Sequence, residues 1–555
     1  MDFYDVLSER ETTFFWKRLS LKMMILGLHK DPWHNTGAAI VKVDGGVRKI
    51  VMVSEERFDR VKDSRSFPRL SIEACMHDFD VKDIGEFDLV VLDYIVSKDW
   101  RNDRFKKPCE IDTLLEKVDP EKIRVIDHHL SHACSVYYSS GFKDSAILVV
   151  DGRGSSAETQ SLYVARKGEV KLVERTEKIG IGLLYAAVTQ AIGFGLLQEG
   201  KTMGLAPYGA NVQDRIFNFG GRYEGISTDY SAICVEGSYE LRGIDPEKIK
   251  SFDQKARAAY EVQLECEQAM LHLAKYAREE TGLNHLCISG GVGLNSVANY
   301  QILSSGIFKD VFINPACSDT GIPLGNALWG CHMEKGNAYR YGLISPYTGP
   351  SYTEESYKVA AARTRDHGCE ILQGRDVIKE FAKLLTQNKI GSICWGRSEM
   401  GPRALGNRSI VMSPTRSENK DILNSRVKHR EAFRPFAPVV LEERVTEYFE
   451  IDRPSPYMLF VPYVKKHMRS KIPAVTHADG TGRLQTVSSN SETIFRKILE
   501  YFYEMTDIPV LLNTSFNVNK EPIVESPEDA VRCFLSTDID FLLLGNEVLV
   551  KKKGI

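Results

Sequence analysis

The chain has 555 residues, 43% of them hydrophobic and 26% charged, with 72 basic side chains against 75 acidic ones and a formal charge of −3. That length exceeds one ordinary core and predicts two to four domains of globular composition. No apolar run reaches the roughly 18 residues of a membrane span, the charge balance gives no global pull toward nucleic acid, and the 11 scattered cysteines lack a CxxC pair, which argues against a disulfide framework or thiolate zinc site and for a cytosolic chain.

Met1–Lys22 is acidic before Phe14, Phe15 and Trp16 and lacks the basic start and apolar core of a signal peptide, so it reads as an N-terminal extension. Met23–Leu28 is a first strand, followed by a polar loop at Lys30–Thr36. Ala38–Val43 and Lys49–Val53 form a hairpin across Gly45-Gly46. Asp88–Leu92, Ala146–Val150 and Ser161–Ala165 are further strands, and Gly182–Phe194 and Ala258–Arg278 have helical spacing. His285–Ile288, Val292–Ile302, Val311–Ile313 and Leu324–Met333 alternate strand and helix, which is α/β construction. Ile344–Glu355, rich in Pro, Ser and Thr, suits a linker, taken as residues 346–355 between domains at 23–345 and 356–555. Val377–Thr386 is a helix, and Ile390–Trp395, Val510–Asn513 and Phe541–Leu544 are strands. No short repeat is visible.

In Asp127-His128-His129-Leu130-Ser131-His132-Ala133, a helix would place His128 and His132 one turn apart, a spacing that can share one metal ion. The same spacing also fits a surface helix with incidental histidines. His129 points elsewhere. Asp151 ends an apolar strand before Gly152-Arg153-Gly154, and Asp319 has the same setting after Val311–Ile313. Each alone is also an ordinary turn former or cap. Two His and two Asp would suit iron(II), manganese or zinc. Ser289-Gly290-Gly291-Val292-Gly293-Leu294-Asn295 joins strand to helix, either to admit a nucleotide or simply as a tight turn. Gly200–Ala206 is likewise Gly-flanked, with Lys201 available for phosphate. Asp151, Gly152, Lys201, Gly204, Gly290, Gly291 and Asn295 are the candidate nucleotide-binding residues of this part.

Further on, Gly396–Ser409 packs Arg397, Arg403 and Arg408 among Gly and Pro. Lys428, Arg430 and Arg434 follow, then Arg483 behind Asp479-Gly480-Thr481-Gly482 and the polar run Asn513-Thr514-Ser515-Phe516-Asn517. Arg forks recognise phosphate and carboxylate; the alternative is a basic surface.

His128–Ala133, Gly200–Gly209, Gly290–Asn299, Trp33-His34-Asn35 and Glu55-Glu56-Arg57-Phe58 together resemble the NodU/CmcH O-carbamoyltransferases, and the resemblance runs from Met23 to near the C-terminus. Gly401–Ser409, Phe433-Arg434-Pro435-Phe436-Ala437-Pro438, Ser455-Pro456-Tyr457-Met458 and Asn513–Asn517 resemble that family's C-terminal region. The resemblance implies an α/β chain: a TsaD-like, actin-like (ASKHA) first domain followed by an α+β YrdC-like second domain. It implies that His128, His132, Asp151 and Asp319 bind Fe2+ or another divalent first-row metal. It further implies that Arg403, Lys428, Arg434, Arg483, Ser515 and Asn517 hold carbamoyl phosphate and ATP, the latter with Mg2+. Carbamoyl-adenylate would form there, helped by Arg403, Arg434 and Arg483, and would pass through an enclosed path to the first domain. A hydroxyl of a small-molecule acceptor would attack it, with His34 as candidate base. Loops Asp93–Asp112 and Phe219–Glu247 would shape the acceptor pocket. One departure is Lys520, where the family often carries Gly before Glu-Pro-Ile. A tRNA-modifying relative fits the charge of −3 poorly, and a chaperone-like ATP module leaves the arginines without purpose. The oligomeric state is open between a single chain and a homodimer.

Overall fold

The computed structural model describes residues 22–30, 34–44, 47–93, 114–243, 246–335, 342–374, 376–491 and 493–552. The N-terminal extension before Lys22, Trp33, the Gly45-Gly46 turn and positions 94–112 of the acceptor loop lie outside the described residues.

The first unit traces one path twice. Strands β1 (Met23–His29), β2 (Gly37–Asp44), β3 (Val47–Ser54), β4 (Leu89–Asp93) and β5 (Ile123–Ile126) lie in the order β3-β2-β1-β4-β5. The first three are antiparallel, and β4 and β5 run parallel to β1. Strands β6 (Asp144–Val150), β7 (Gln160–Arg166) and β8 (Glu169–Thr176) open a second sheet, which β11 (His285–Ser289) and β12 (Asp310–Ile313) complete in the order β12-β11-β6-β7-β8 with the same directions. A small hairpin, β9 (Arg222–Glu224) with β10 (Ser227–Asp229), is separate. The duplication is one of topology, since no repeat is readable in the residues. It is a doubled α/β sheet, five strands in each half in the same order and directions.

Helices α1 (His128–Ser140) and α4 (Ile322–Lys335) pack between the two sheets, while α3 (Phe252–Thr281) covers the second and α2 (Glu199–Leu205) packs on α3. Glycine makes the close packing possible: a Cβ on Gly27 would sit 2.0 Å from the Pro323 carbonyl oxygen, and one on Gly325 2.0 Å from that of Ser131. So α4 lies flush on β1 and against α1. The helix expected over Val292–Ile302 is instead a short turn, Gly291–Leu294, then a helix at Ser296–Ser304. Asn295 separates them because its side chain caps the helix by accepting from the Ala298 N–H. Ala258–Arg278 extends to the full α3 because Ser251 and Gln254 form a capping box.

The second unit is built on one mixed sheet. Its strands are β13 (Cys369–Leu372), β14 (Gly391–Cys394), β15 (Arg408–Met412), β16 (Ala437–Leu441), β17 (Gln485–Val487), β18 (Val510–Ser515), β19 (Phe541–Leu544) and β20 (Glu547–Lys551). They lie in the order β13-β20-β19-β14-β15-β18-β16-β17. Helices α5 (Val377–Thr386) and α6 (Phe495–Thr506) bury Phe381, Phe495 and Phe502 against it. Lys520 has φ +68, so the turn keeps the left-handed conformation that glycine adopts at least cost.

The expected linker is a packed strap. The Thr348 carbonyl accepts from the Met52 N–H at 2.8 Å, Gly349 N–H donates to Ser398, and the Pro346 carbonyl accepts from Met400. One buried apolar cluster contains Leu148 and Phe308 from the first unit and Phe436, Tyr457 and Leu512 from the second. Glu55 anchors the helix Arg69–Asp78 through the Leu70 and Ser71 N–H groups, and its neighbours reach across. Arg57 donates to the carbonyls of Gly401 (3.2 Å) and Val524 (3.4 Å), and Arg60 to those of Ile523 (2.8 Å) and Pro522 (2.9 Å). Arg57 is 4% exposed. Arg57→Ala should therefore destabilise the chain by about 2–4 kcal/mol, because it orphans carbonyls at a buried seam. A lower thermal midpoint and faster proteolysis are the readouts, and an unchanged midpoint would mean that Arg57 does not fasten the seam.

Candidate active site: a histidine–aspartate cluster and an arginine pocket

Asp127 caps α1 by accepting from the Leu130 N–H at 2.9 Å, so the helix begins at His128. One turn then separates His128 from His132, whose rings meet edge to face at 4.8 Å. Asp151 follows β6 and Asp319 follows β12, two strands that run parallel on either side of β11. Asp151 Oδ2 lies 3.1 Å from His132 Nε2 and 3.5 Å from His128 Nε2; Asp319 Oδ1 lies 3.3 and 3.7 Å from the same two atoms. All four side chains are buried, and their ligand atoms lie within 4.8 Å of one another. His129 turns away to Ser161 Oγ at 2.7 Å, as its place on the helix requires.

The backbone aims Asp151. Its Oδ1 accepts from the N–H groups of Gly152 (2.8 Å) and Gly291 (3.0 Å), leaving Oδ2 for the imidazoles. Gly290 has φ +90, and a Cβ there would sit 2.3 Å from the Val150 carbonyl oxygen, so this approach needs glycine. Burial and the neighbouring Asp151 resist ionisation of Asp319, yet His132, His128 and His34 bring its pKa down to about 2. Two ionised carboxylates facing two imidazoles in a buried space call for positive charge between them. His128 Nε2 is buried without a hydrogen-bond partner among the described atoms. The donor set fits a divalent first-row metal. His34 Nδ1 stands 3.5 Å from Asp319 Oδ2 and 3.1 Å from Asn35 Nδ2, at the open side of the cluster.

The second unit holds the opposite charge. Lys428 Nζ donates to the carbonyls of Ser515 (2.6 Å) and Asn517 (2.9 Å) and to Asn517 Oδ1 (2.7 Å). Arg403, Arg430 and Arg483 each bury an Nε that has no hydrogen-bond partner among the described atoms. Arg403, Arg430 and Arg483 are each half-buried as whole residues, so part of their surface stays open. Burial, then mutual repulsion with Arg403, Arg430 and Arg434, pushes the Arg483 pKa well down. Among the described residues, Glu431 brings a carboxylate to this group and meets Lys201 Nζ at 2.7 Å and Arg434 Nη1 at 3.7 Å. Buried cations in excess of carboxylates form a pocket that an anion would stabilise.

Several expected residues have other partners. Arg408 is fully buried and donates to the carbonyls of Glu525, Trp395 and Asn407 at 2.9 Å and Gly396 at 3.1 Å. Arg397 pairs with Asp78 at 2.7 Å. Of the three arginines in that loop, only Arg403 faces the pocket, whereas Arg430 joins it. The Asn295 side chain is taken up by its cap and by Gln263. Lys201 meets Glu431 rather than the Gly290 turn, and Gly204 lies against Pro435. Asp93 and His29, which no motif singled out, and Ser289 at the head of the glycine-rich turn sit directly behind the His/Asp cluster.

The two sites adjoin. A Cβ on Gly401 would meet the Pro315 carbonyl at 2.3 Å, so the Arg403 loop rests on the segment that leads to Asp319. On that segment the Cys317 carbonyl accepts from Ser289 Oγ at 3.1 Å, and Ser289 Oγ reaches His132 Nδ1 at 3.2 Å.

Sites of opposite charge on either side of one loop suit an enzyme that moves a group off an anionic donor. Residues 91–328 match the family model described as carbamoyltransferase N-terminus, and residues 382–552 the one described as carbamoyltransferase C-terminus. The chain belongs to the carbamoyltransferase family, and the protein is a transferase enzyme. It is 37% identical over 544 residues to nodulation protein NolNO of Sinorhizobium fredii, covering 93% of this chain and 79% of that one. An uncharacterized protein of Methanocaldococcus jannaschii is 30% identical over 540 residues, covering 96% of this chain and all of the relative. A crystal structure of full-length HypF in the phosphate- and nucleotide-bound form aligns with 58% of this chain and 57% of that one, at 15% identity and a TM-score of 0.33, a likeness too slight to argue from. No helix among the described residues is long and apolar enough to cross a membrane.

Proposed function

We propose that the protein transfers a carbamoyl group from carbamoyl phosphate to a hydroxyl of a small-molecule acceptor, with ATP as cosubstrate and carbamoyl-adenylate as intermediate. The observation that carries this reading is the pocket of Arg403, Arg430, Arg434 and Arg483, whose positive charge exceeds its carboxylates and which lies against the loop bearing Asp319. Water releases phosphate from carbamoyl phosphate, and the resulting carbamate oxygen attacks the α-phosphorus of ATP, expelling pyrophosphate. The arginines neutralise charge that develops on the phosphoryl oxygens. Lys428, held by Ser515 and Asn517, presents a further cation, in keeping with a YrdC-like role for this unit. Mg2+ accompanies the ATP.

The acceptor oxygen then bonds to the carbamoyl carbon and AMP leaves. With Nδ1 turned to Asp319, His34 keeps Nε2 available to take the hydroxyl proton. The residues His128, His132, Asp151 and Asp319 would hold Fe2+ or another divalent metal, which supplies Lewis acidity toward the carbamoyl oxygen. Gly152 and Gly291 keep Asp151 turned toward the histidines, and the buried setting excludes water from a labile anhydride.

The test is product mass spectrometry with candidate alcohols, ATP and carbamoyl phosphate, alongside pyrophosphate release. A carbamoylated alcohol and strictly carbamoyl-phosphate-dependent pyrophosphate are expected. Equal ATP turnover without carbamoyl phosphate would refute the reading. The abutting sites also favour enclosed handover: a free nucleophilic scavenger added during turnover should capture little adenylate, and capture in proportion to scavenger concentration would show escape to solvent.

A further inference from the structure

Behind His128 lies a set of buried polar groups that the reaction above does not use. His29 ends β1 and Asp93 ends β4, and the two are paired in register across the parallel strands. Both are fully shielded, at 0% and 1% exposure. Asp93 Oδ2 lies 2.9 Å from His128 Nδ1, and Oδ1 lies 2.9 Å from His29 Nδ1. Asn326 on α4 donates to Asp93 Oδ1 at 3.2 Å and to the Leu28 carbonyl at 2.7 Å, while its Oδ1 accepts from Ser131 Oγ at 2.6 Å. The carboxylate is therefore braced by groups from β1 and α4, and its Oδ2, also 3.1 Å from His29 Nδ1, comes nearer to one ring nitrogen of His128.

We propose that Asp93 is a positioning residue for metal binding: it holds His128 as the Nδ1–H tautomer, with Nε2 presented to the space shared with His132, Asp151 and Asp319. This rests on the metal reading given above. A histidine ligand whose far nitrogen donates to a carboxylate is more basic and fixed in orientation. The other ligand is backed differently. Ser289 Oγ donates to the Cys317 carbonyl, so toward His132 Nδ1 it acts as acceptor, and a neutral hydroxyl is the weaker brace. The two histidines are thus unequal, and His128 is the one whose hold on the metal depends on a group outside every sequence motif. His29, Asp93 and His128 could themselves be read as a metal group. However, both Nδ1 atoms meet the Asp93 carboxylate at hydrogen-bond length, His29 Nδ1 reaching Oδ1 at 2.9 Å and Oδ2 at 3.1 Å and His128 Nδ1 reaching Oδ2 at 2.9 Å, which favours a brace.

The experiment measures Co2+ and Fe2+ affinity of the full chain by chelator competition, with Co2+ absorption as a spectroscopic readout. Asp93→Asn should bind about 10–100-fold more weakly with a shifted Co2+ spectrum, because an amide can turn its NH2 toward Nδ1 and favour the wrong tautomer. Ser289→Ala should lose less. Circular dichroism reports folding; should Asp93→Asn not fold, His29→Gln, which removes one brace, should still weaken binding severalfold. Parent-like affinity and spectrum in the folded variant overturn the proposal. So does retained binding in Asp319→Asn together with lost binding in Asp93→Asn, which would move the metal to the Asp93 group. If the parent chain binds neither ion, it is the metal reading itself that fails.

Discussion

Arg483→Ala is expected to stop carbamoyl-phosphate-dependent pyrophosphate release, with a loss of about 100–1,000-fold or more, the scale of removing one preorganised charge at a reacting group. Arg483 is the guanidinium whose pKa is pushed down jointly by burial and by Arg403, Arg430 and Arg434, so it stands among all three. Arg483→Lys should also be poor, since an ammonium cannot reproduce the fork. Stability separates this from a folding defect. In the anion-free chain the cluster is a burden of like charges, so deleting one should leave the thermal midpoint near or above that of the parent, despite lost packing. Phosphate or pyrophosphate should raise the parent midpoint by linkage and the variant's much less. If Arg483→Ala, Arg403→Ala and Arg434→Ala all release pyrophosphate at the parent rate, adenylation takes place elsewhere.

The second large effect has the opposite stability sign. His132→Ala should abolish carbamoyl transfer while pyrophosphate release continues in the arginine pocket. It removes the imidazole nearest to both Asp151 (3.1 Å) and Asp319 (3.3 Å), leaving two buried carboxylates with only the more distant His128 (3.5 and 3.7 Å) between them. That should cost about 3–5 kcal/mol, the usual penalty for orphaning a buried charge. Assays therefore belong below the lowered midpoint. Parent-level transfer in a metal-stripped His128→Ala/His132→Ala double variant would exclude the cluster from the reaction.

The His/Asp cluster was legible because its information is local. An i, i+4 pair behind a capping Asp is set by helix geometry, and Asp151 directly follows, and Asp319 lies in the loop after, strands whose apolar runs mark them in the sequence. The strands and most helices were readable for the same reason, down to the 3.6- and 2-residue periods. Arginine roles were not. Arg397, Arg403 and Arg408 share one loop and one composition, yet one pairs with Asp78, one lines the pocket and one fills a cage of carbonyls. Which way a long side chain turns depends on whether distant segments offer it an acceptor, and Glu525 and Asp78 lie far away in sequence.

The chain by itself thus determined its α/β periodicity, the i, i+4 spacing of His128 and His132 and the placing of arginines among Gly and Pro, all properties of short stretches. Only the tertiary structure decided that the sheet is doubled, that the expected linker is a strap in a shared core, and that Arg430 joins the pocket. It alone also brought His29 and Asp93 behind His128. Each of these depends on residues brought together from separate strands and helices, and no local period records which neighbours long-range packing will supply.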